Sequence, residues 1–589
     1  MVTVHWGGLP EVTKTEGSAT VAETAPAIRW PFWAELAIKG LATLVSLVVL
    51  GVSLRVTNNE LQLPIVQHAL DPRLFPGDPF VSTLPNYISV LWQVLWIPFR
   101  VLPETPLLLA LTLIQRVFWL YAAGRLARAI TEGSQIAELV TWCFCSFGMT
   151  PFVGWGTGLP DYFEQTSLAI ACFMLALALV IEKRPTSAGW WLGLMGLCNV
   201  MHAAFGVVLL LAGLAVAPNL RSDRRGLARG AGLALLLMSP ALGMAVVTAS
   251  GPRIGSAPFL QLMWFYCPAH FFPSSWSGRE WITLGLALVS VVFLCVVGQV
   301  RRSVRAMMLG LSAGTLVCLG VAAIAEIVRS ASLVNPHPAR ACDVWTCVMA
   351  VFVAASLSDL MITRRRRWIL AAGAAGLVCA EFLWRFHGRI PQPFDIIFLV
   401  AVCVLTTLVG WRGGKLRAGL APLVPTFALM LLFSAIAVAS PRPVGMAIFQ
   451  PRPRDEIDLA EWAKRNSSVD AVFLVDPEWG GFRALAQRSS FVTWKEGAAL
   501  LWYQPFAREW VRRIRALGVD PLLPGLRYPA SRIRMTRAFA GLDDISAVGL
   551  ARRFGLYYWL VPAGKPSGLP VVYANPTYKA LRLNPGARP

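Results

Sequence analysis

Long, nearly uncharged apolar runs dominate the first 440 positions of the chain. They predict membrane-spanning helices near residues 34–54, 104–123, 135–153, 163–182, 229–249, 281–300, 306–328, 344–362, 368–387, 394–411 and 418–440. Each is long enough to cross about 30 Å of hydrocarbon. The run at 188–218 is too long for one ordinary helix, and Asn199 and His202 interrupt its middle, which predicts two short helices there. After about residue 440 the hydropathy drops and the period changes. Helices at 455–466, 502–517 and 544–554 alternate with short strands at 471–475, 491–494, 557–561, 571–573 and 578–583. Alternation of that kind implies a small α/β layer domain over residues 441–589.

Charge orients this pattern. Lys and Arg cluster at Arg125 and Arg128, Lys183 and Arg184, Arg221 to Arg229, Arg301 to Arg305, Arg364 to Arg367, and Arg412 to Arg417. If all six clusters are cytoplasmic, an even number of crossings separates each neighbouring pair, and this requires residues 188–218 to pass twice. The expected topology has about thirteen crossings. A cytoplasmic tail of residues 1–33 leads into the transmembrane region 34–440, and the C-terminal domain lies outside. The outer loops are then 55–103, 154–163, 250–280 and 329–343. The first span reads as an anchor, not a cleaved signal peptide.

Composition agrees and removes whole function classes. The chain has 589 residues, 56% hydrophobic and only 14% charged, with a mean hydropathy of +0.58. That is too apolar for a soluble enzyme or a secreted disulfide scaffold. The net charge of +21 is placed by the membrane topology, so no nucleic-acid partner is needed to explain it, and membrane lipids are the first expected contacts. The C-terminal domain has none of the 11 Cys, which excludes a disulfide framework there.

The outer loops hold the candidate chemistry. Directly after the first span come Asn58, Asn59, Glu60, His68, Asp71 and Asp78. Carboxylates at a membrane surface can take a proton from an attacking hydroxyl while cations hold a leaving phosphate. The same residues also suit a helix cap and plain Asp-Pro turns. Residues 86–101 predict an interfacial amphipathic helix anchored by Trp92, Trp96 and Arg100. The glycines at 154–158 form a tight turn expected to direct Asp161 and Glu164 into one cavity, although acids three apart at a helix start also satisfy the helix dipole. Arg340, beside His337, can hold a phosphate bidentately or reach lipid headgroups. Five of the six His fall on or near the outer side, without the spacing of a metal motif. Arg116, inside the second span, is expected to reach toward the inner face near Arg125. In the C-terminal domain the stretch Asp476 to Arg483, with Arg488 and Lys495 beyond, suits an anionic sugar or phosphate, or a solvated basic loop on anionic headgroups.

Four stretches carry a family resemblance: NNELQLPIVQHALDPRLFPGDPF (58–80), GLPDYFEQTSLAIACF (158–173), GLCNVMHAAFGVVLLLAG (196–213) and LAEWAKRNSSVDAVFLVDPEWGGFRALAQRSSFVTWKEG (459–497). With the acidic first loop, the many spans and the C-terminal α/β domain, the chain resembles a bacterial subgroup of the GT-C glycosyltransferases. The resemblance implies a multi-pass protein of the bacterial inner membrane, using a polyprenyl-phosphate-linked sugar donor with inversion at the anomeric carbon. It also implies that Glu60 is the base, with Asp71 and Asp78 as substitutes. Asp161 and Glu164 would position the acceptor or a divalent cation, and Arg340 and His337 would hold the donor phosphate. The first-loop acidic pair of that class reads Asn59-Glu60 here, so one acid is an amide. Two other readings stay open: a silent relative acting as a scaffold or accessory subunit, with a protein partner on the basic C-terminal domain, and a transporter of lipid-linked glycans.

Overall fold

The computed structural model describes residues 31–146, 158–298, 300–363 and 453–583. Helices follow the expected apolar runs closely: Phe32–Leu50, Glu104–Ile130, Gln135–Cys145, Gln165–Ile181, Arg224–Ser250, Gly278–Val297, Arg302–Ile327 and Ala341–Thr363. Five described helical segments are long and apolar enough to cross a bilayer. The expected spans at 368–387, 394–411 and 418–440 lie outside the described residues, so the count of about thirteen stays an expectation. Residues 188–218 do fall into two helices, Pro185–Cys198 and Val200–Val216. They break at Asn199, which is extended and whose side chain accepts from His202 N at 3.2 Å to cap the second helix.

Small residues explain how these helices pack. On Pro185–Cys198, a Cβ added at Gly189 would strike the Gly230 backbone, and Cβ atoms at Gly193 and Gly196 would strike Leu237 and Met238. Glycines every three to four residues let this helix approach Arg224–Ser250 closely, as helix pairs do in lipid. On the other side of the same long helix, Leu235, Leu236, Val246 and Val247 are exposed and form a lipid-facing stripe.

The first long loop is helical over Val90–Phe99, with a turn at Leu95, inside the range expected for the amphipathic helix 86–101. It holds helix Asn59–Leu70, a 3₁₀ turn Val81–Asn86 and the short helices Val90–Val94 and Trp96–Phe99. Trp92 is fully buried with its ring 5.6 Å from Phe163, so it is a core residue and not a lipid anchor. Trp96 lies under the Arg100 guanidinium at 4.5 Å.

The C-terminal domain carries one five-stranded sheet in the order β2-β1-β3-β5-β4. The strands are β1 Val472–Leu474, β2 Ser489–Ser490, β3 Leu556–Pro562, β4 Val571–Ala574 and β5 Tyr578–Arg582. β1 is parallel to β2 and β3, while β5 runs antiparallel to both β3 and β4. The second strand is shorter and earlier than the expected 491–494, and helix Ala530–Ala540 has no counterpart among the expected elements. β1 lies between β2 and β3, so the chain leaves it to opposite sides. The crevice beyond its carboxyl end is where open α/β sheets place ligands, and here that end is the loop Asp476 to Gly481.

One hydrophobic cluster joins this domain to the helical part. It includes Phe80 and Trp92 from the first loop, Phe259 and Phe265 from helix Ser256–Tyr266, and Trp502, Trp510 and Trp559 from the C-terminal domain. Trp502 Nε1 donates to Thr83 Oγ1 at 3.0 Å, and Ser531 Oγ donates to the Phe265 carbonyl at 2.6 Å. A shared core of this kind fixes the loop after β1 against the start of helix Asn59–Leu70.

Candidate functional site

Glu60 stands in the first turn of helix Asn59–Leu70 and is half-buried. It faces Gly480, in the loop after β1. A Cβ there would collide with Glu60 Oε2 and lie 3.3 Å from Lys495 Cβ, so the carboxylate and the lysine flank a bare glycine backbone. Lys495 is also half-buried, in the 3₁₀ helix Trp494–Leu501. Burial lowers its pKa, against the pull of Glu60 first, then Cys267 and Glu164.

The other wall comes from the helical part. Arg340 donates from Nε to Asp343 Oδ2 at 2.9 Å, and that oxygen also lies 3.3 Å from His202 Nε2. Asp343 is 1% exposed, so the guanidinium is held by a carboxylate that solvent scarcely reaches. Arg340 acts electrostatically on Tyr87, Tyr162, Tyr266 and Cys267. Lys495 acts electrostatically on the same Cys267. Burial raises the pKa of all three tyrosines and of the Cys267 thiol, which is pushed up to about 12. These groups remain neutral and can serve as hydrogen-bonding walls. Tyr87 already accepts from Gln62 and Gln165, each at 2.9 Å.

The structure separates the candidates that looked alike in sequence. Glu60 and Glu164 both act electrostatically on Lys495, and Glu164 and Arg340 both act on Tyr87 and Tyr162. Glu164 is buried, accepts from Asn58 Nδ2 at 2.8 Å and Thr166 N at 3.2 Å, and caps helix Gln165–Ile181. Asp161 instead receives the Ser53 hydroxyl at the end of the first helix. Asp71 ends the helix that Glu60 begins, about 16 Å away along its axis, and forms a surface pair with Arg73. Asp78 is 4% exposed, accepts the backbone N–H of Phe80 and Val81, and pairs with Arg483 at 2.8 Å. It belongs to a buried anchor and not to the cleft.

His337 is buried with a left-handed backbone, φ 56°, its ring 4.2 Å from that of Phe271. Burial first, and then Arg340, depress its imidazole well below the ordinary range, so it is neutral and supplies no charge to a phosphate. Arg116 reaches opposite to the expected direction, donating at 3.0 Å to the carbonyls of Ser46, Gly51 and Pro160. It ties the end of the first helix to the second acidic loop.

Of the basic residues after β1, Arg488 is spent on the carbonyls of Lys464, Ser467 and Gln487. Lys495 lies beside Glu60 at Gly480. Asn59, in place of an acid, is 1% exposed and donates to the Phe163 carbonyl at 2.9 Å, a bond that a carboxylate at that position would not make. Among the described residues no three His, Cys, Asp or Glu side chains converge as metal ligands.

A family model described as a domain of unknown function (DUF6798) matches residues 454–517. No curated protein matches the chain in sequence. Among solved structures it is similar to ArnT from Cupriavidus metallidurans bound to undecaprenyl phosphate. That match has 12% identity and a TM-score of 0.47, over 95% of this chain and 98% of that one. It is also similar to the Archaeoglobus fulgidus oligosaccharyltransferase tethered with an acceptor peptide, with 13% identity and a TM-score of 0.45, over 90% of this chain and 69% of that one.

Proposed function

We propose that the chain is a GT-C-type inverting glycosyltransferase that takes its sugar from a polyprenyl-phosphate carrier. The C-terminal domain and the cleft would lie on the outer side of a bacterial inner membrane. One observation carries this reading: a half-buried carboxylate, Glu60, lies against Gly480 beside Lys495, and Lys495 and Arg340 both act electrostatically on the buried Cys267. Glu60 would accept the acceptor hydroxyl proton as the new bond to the anomeric carbon forms. The bond from that carbon to the phosphate oxygen breaks on the opposite face, and its electron pair leaves with the polyprenyl phosphate. Arg340, braced by Asp343, and Lys495 stabilise the charge that develops there. Glu164 orders the loop that frames the acceptor side.

The first test is the lipid that accompanies the protein. Purified in mild detergent, the wild type should retain a polyprenyl phosphate or its sugar conjugate, identified by mass spectrometry, and Arg340→Ala should lose most of it. Ordinary phospholipids alone, together with a stoichiometric protein partner, would replace this reading by that of a scaffold.

A pH profile tests Lys495. Because burial lowers its pKa, the positive charge that holds the leaving phosphate is lost at lower pH than for a free lysine, and turnover falls with it. In Lys495→Arg the guanidinium stays charged across that range. The alkaline limb of the rate profile should therefore move upward in the variant, even if the maximum rate drops. Superimposable alkaline limbs would remove Lys495 from the mechanism.

A further inference from the structure

Away from the cleft, a groove of about 470 Å³ runs between the segment after helix Arg224–Ser250 and helix Phe506–Ala516. Ile254, Pro258, Leu262, Val511 and Leu522 supply apolar lining, and Arg508, Arg512, Arg515 and Arg553 supply four guanidiniums. Two are partly neutralised: Arg512 by Glu509 at 2.8 Å and Arg515 by Asp520 at 3.0 Å. Arg508 and Arg553 are exposed and have no carboxylate partner among the described residues. The groove therefore carries net positive charge over an apolar floor.

Its position says what that charge faces. Val246 and Val247, the last exposed apolar pair of the lipid-facing stripe, are 68% and 65% exposed, and their helix ends at Ser250. Ile254 follows that helix end by four residues, no more than about 14 Å of chain, and Pro258 lies in the next helix, Ser256–Tyr266. An acyl chain lying along that stripe thus leads directly to the apolar floor, and its headgroup arrives beside the arginines.

We propose that this groove binds an anionic phospholipid, its phosphodiester held by Arg508 and Arg553 and the start of its acyl chains on Ile254, Pro258 and Leu262. The site is separate from the cleft of Glu60, Arg340 and Lys495 and does not depend on its activity. It would fix the C-terminal domain against the bilayer surface through a lipid.

The test is native mass spectrometry of the full chain, delipidated in a neutral detergent and titrated with phosphatidylglycerol or phosphatidylcholine. The wild type should take up one phosphatidylglycerol in strong preference to phosphatidylcholine. The double variant Arg508→Gln/Arg553→Gln should bind phosphatidylglycerol about 30-fold more weakly, since each headgroup-level cation contributes roughly a factor of five, and bind phosphatidylcholine as before. The pair Arg508→Lys/Arg553→Lys, which keeps the charge, should retain most of the preference. Equal phosphatidylglycerol binding by the wild type and the glutamine variant would overturn the proposal, as would a wild type that does not distinguish the two lipids.

Discussion

Arg483→Met should destabilise the folded chain by about 3 to 5 kcal/mol, the range seen when one partner of a buried ion pair is removed. Arg483 is 1% exposed, donates to Asp78 at 2.8 Å and to Glu496 at 2.7 Å, and sits over the Phe80 ring at 4.8 Å. Burial works against its charge, yet Asp78 and Glu496 together hold the guanidinium protonated beyond its ordinary range. Without it two carboxylates face each other in the dry junction between the first loop and the C-terminal domain. Glu496, whose own pKa burial already raises, would be the one to take up a proton. The measurement is the thermal unfolding midpoint of the purified chain. If Arg483→Met fails because of stranded charge and not lost packing, adding Glu496→Met should recover part of the loss, because uncharged partners carry no such cost. A midpoint unchanged in Arg483→Met would show that this triad does not anchor the junction.

That triad shows what the sequence could and could not say. Asp78 sits in a Pro-Gly-Asp-Pro stretch and has the composition of an exposed turn. Its partner is about four hundred residues away, and nothing local marks either one as buried. The helices of the first 363 residues were legible because lipid imposes one rule on every span, a long apolar run. Even the break at Asn199 was legible, since a cap residue in the middle of an apolar run has few other uses. Helix Ala530–Ala540 was not, because three of its eleven residues are Arg and its buried face is only Ser531, Met535 and Phe539. Trp92 misled for a related reason: an aromatic spaced like an interfacial anchor is equally suited to a core, and only the docking of Phe163 decides between them.

The cleft was legible residue by residue but not as an assembly. Glu60, Asp71 and Asp78 are equivalent on composition. Helix geometry separates Asp71 from Glu60, and burial with Arg483 removes Asp78. Arg340 was readable as a loop cation beside a span. Its brace by Asp343 and His202 was not, because His202 comes from another helix. Lys495 belongs to a basic stretch of which Arg483, Arg488 and Lys495 have three different fates. The topology of the sheet gave the missing clue, since the loop after β1 is where such a sheet places a ligand.

The sharpest consequence falls on Glu60. If it is the base that takes the acceptor proton, Glu60→Gln should lower the turnover number about 10² to 10⁴-fold, the span typical of general-base removal. Glutamine has the same shape and fits against Gly480, where a bulkier neighbour would collide, so folding should be unaffected and the thermal midpoint should stay near that of the wild type. Donor binding should also survive at neutral pH, because Arg340 and Lys495 hold the phosphate, although Lys495 without the pull of Glu60 should lose its proton at lower pH than in the wild type. The pattern expected is therefore retained polyprenyl-phosphate binding, unchanged stability and lost transfer. Loss of binding together with turnover would instead make Glu60 a positioning residue that keeps Lys495 charged. In that case Lys495→Arg, whose charge needs no such help, should restore donor binding in the Glu60→Gln background. Full turnover in Glu60→Gln would remove the carboxylate from the chemistry and leave a cleft that holds a phosphate without using it.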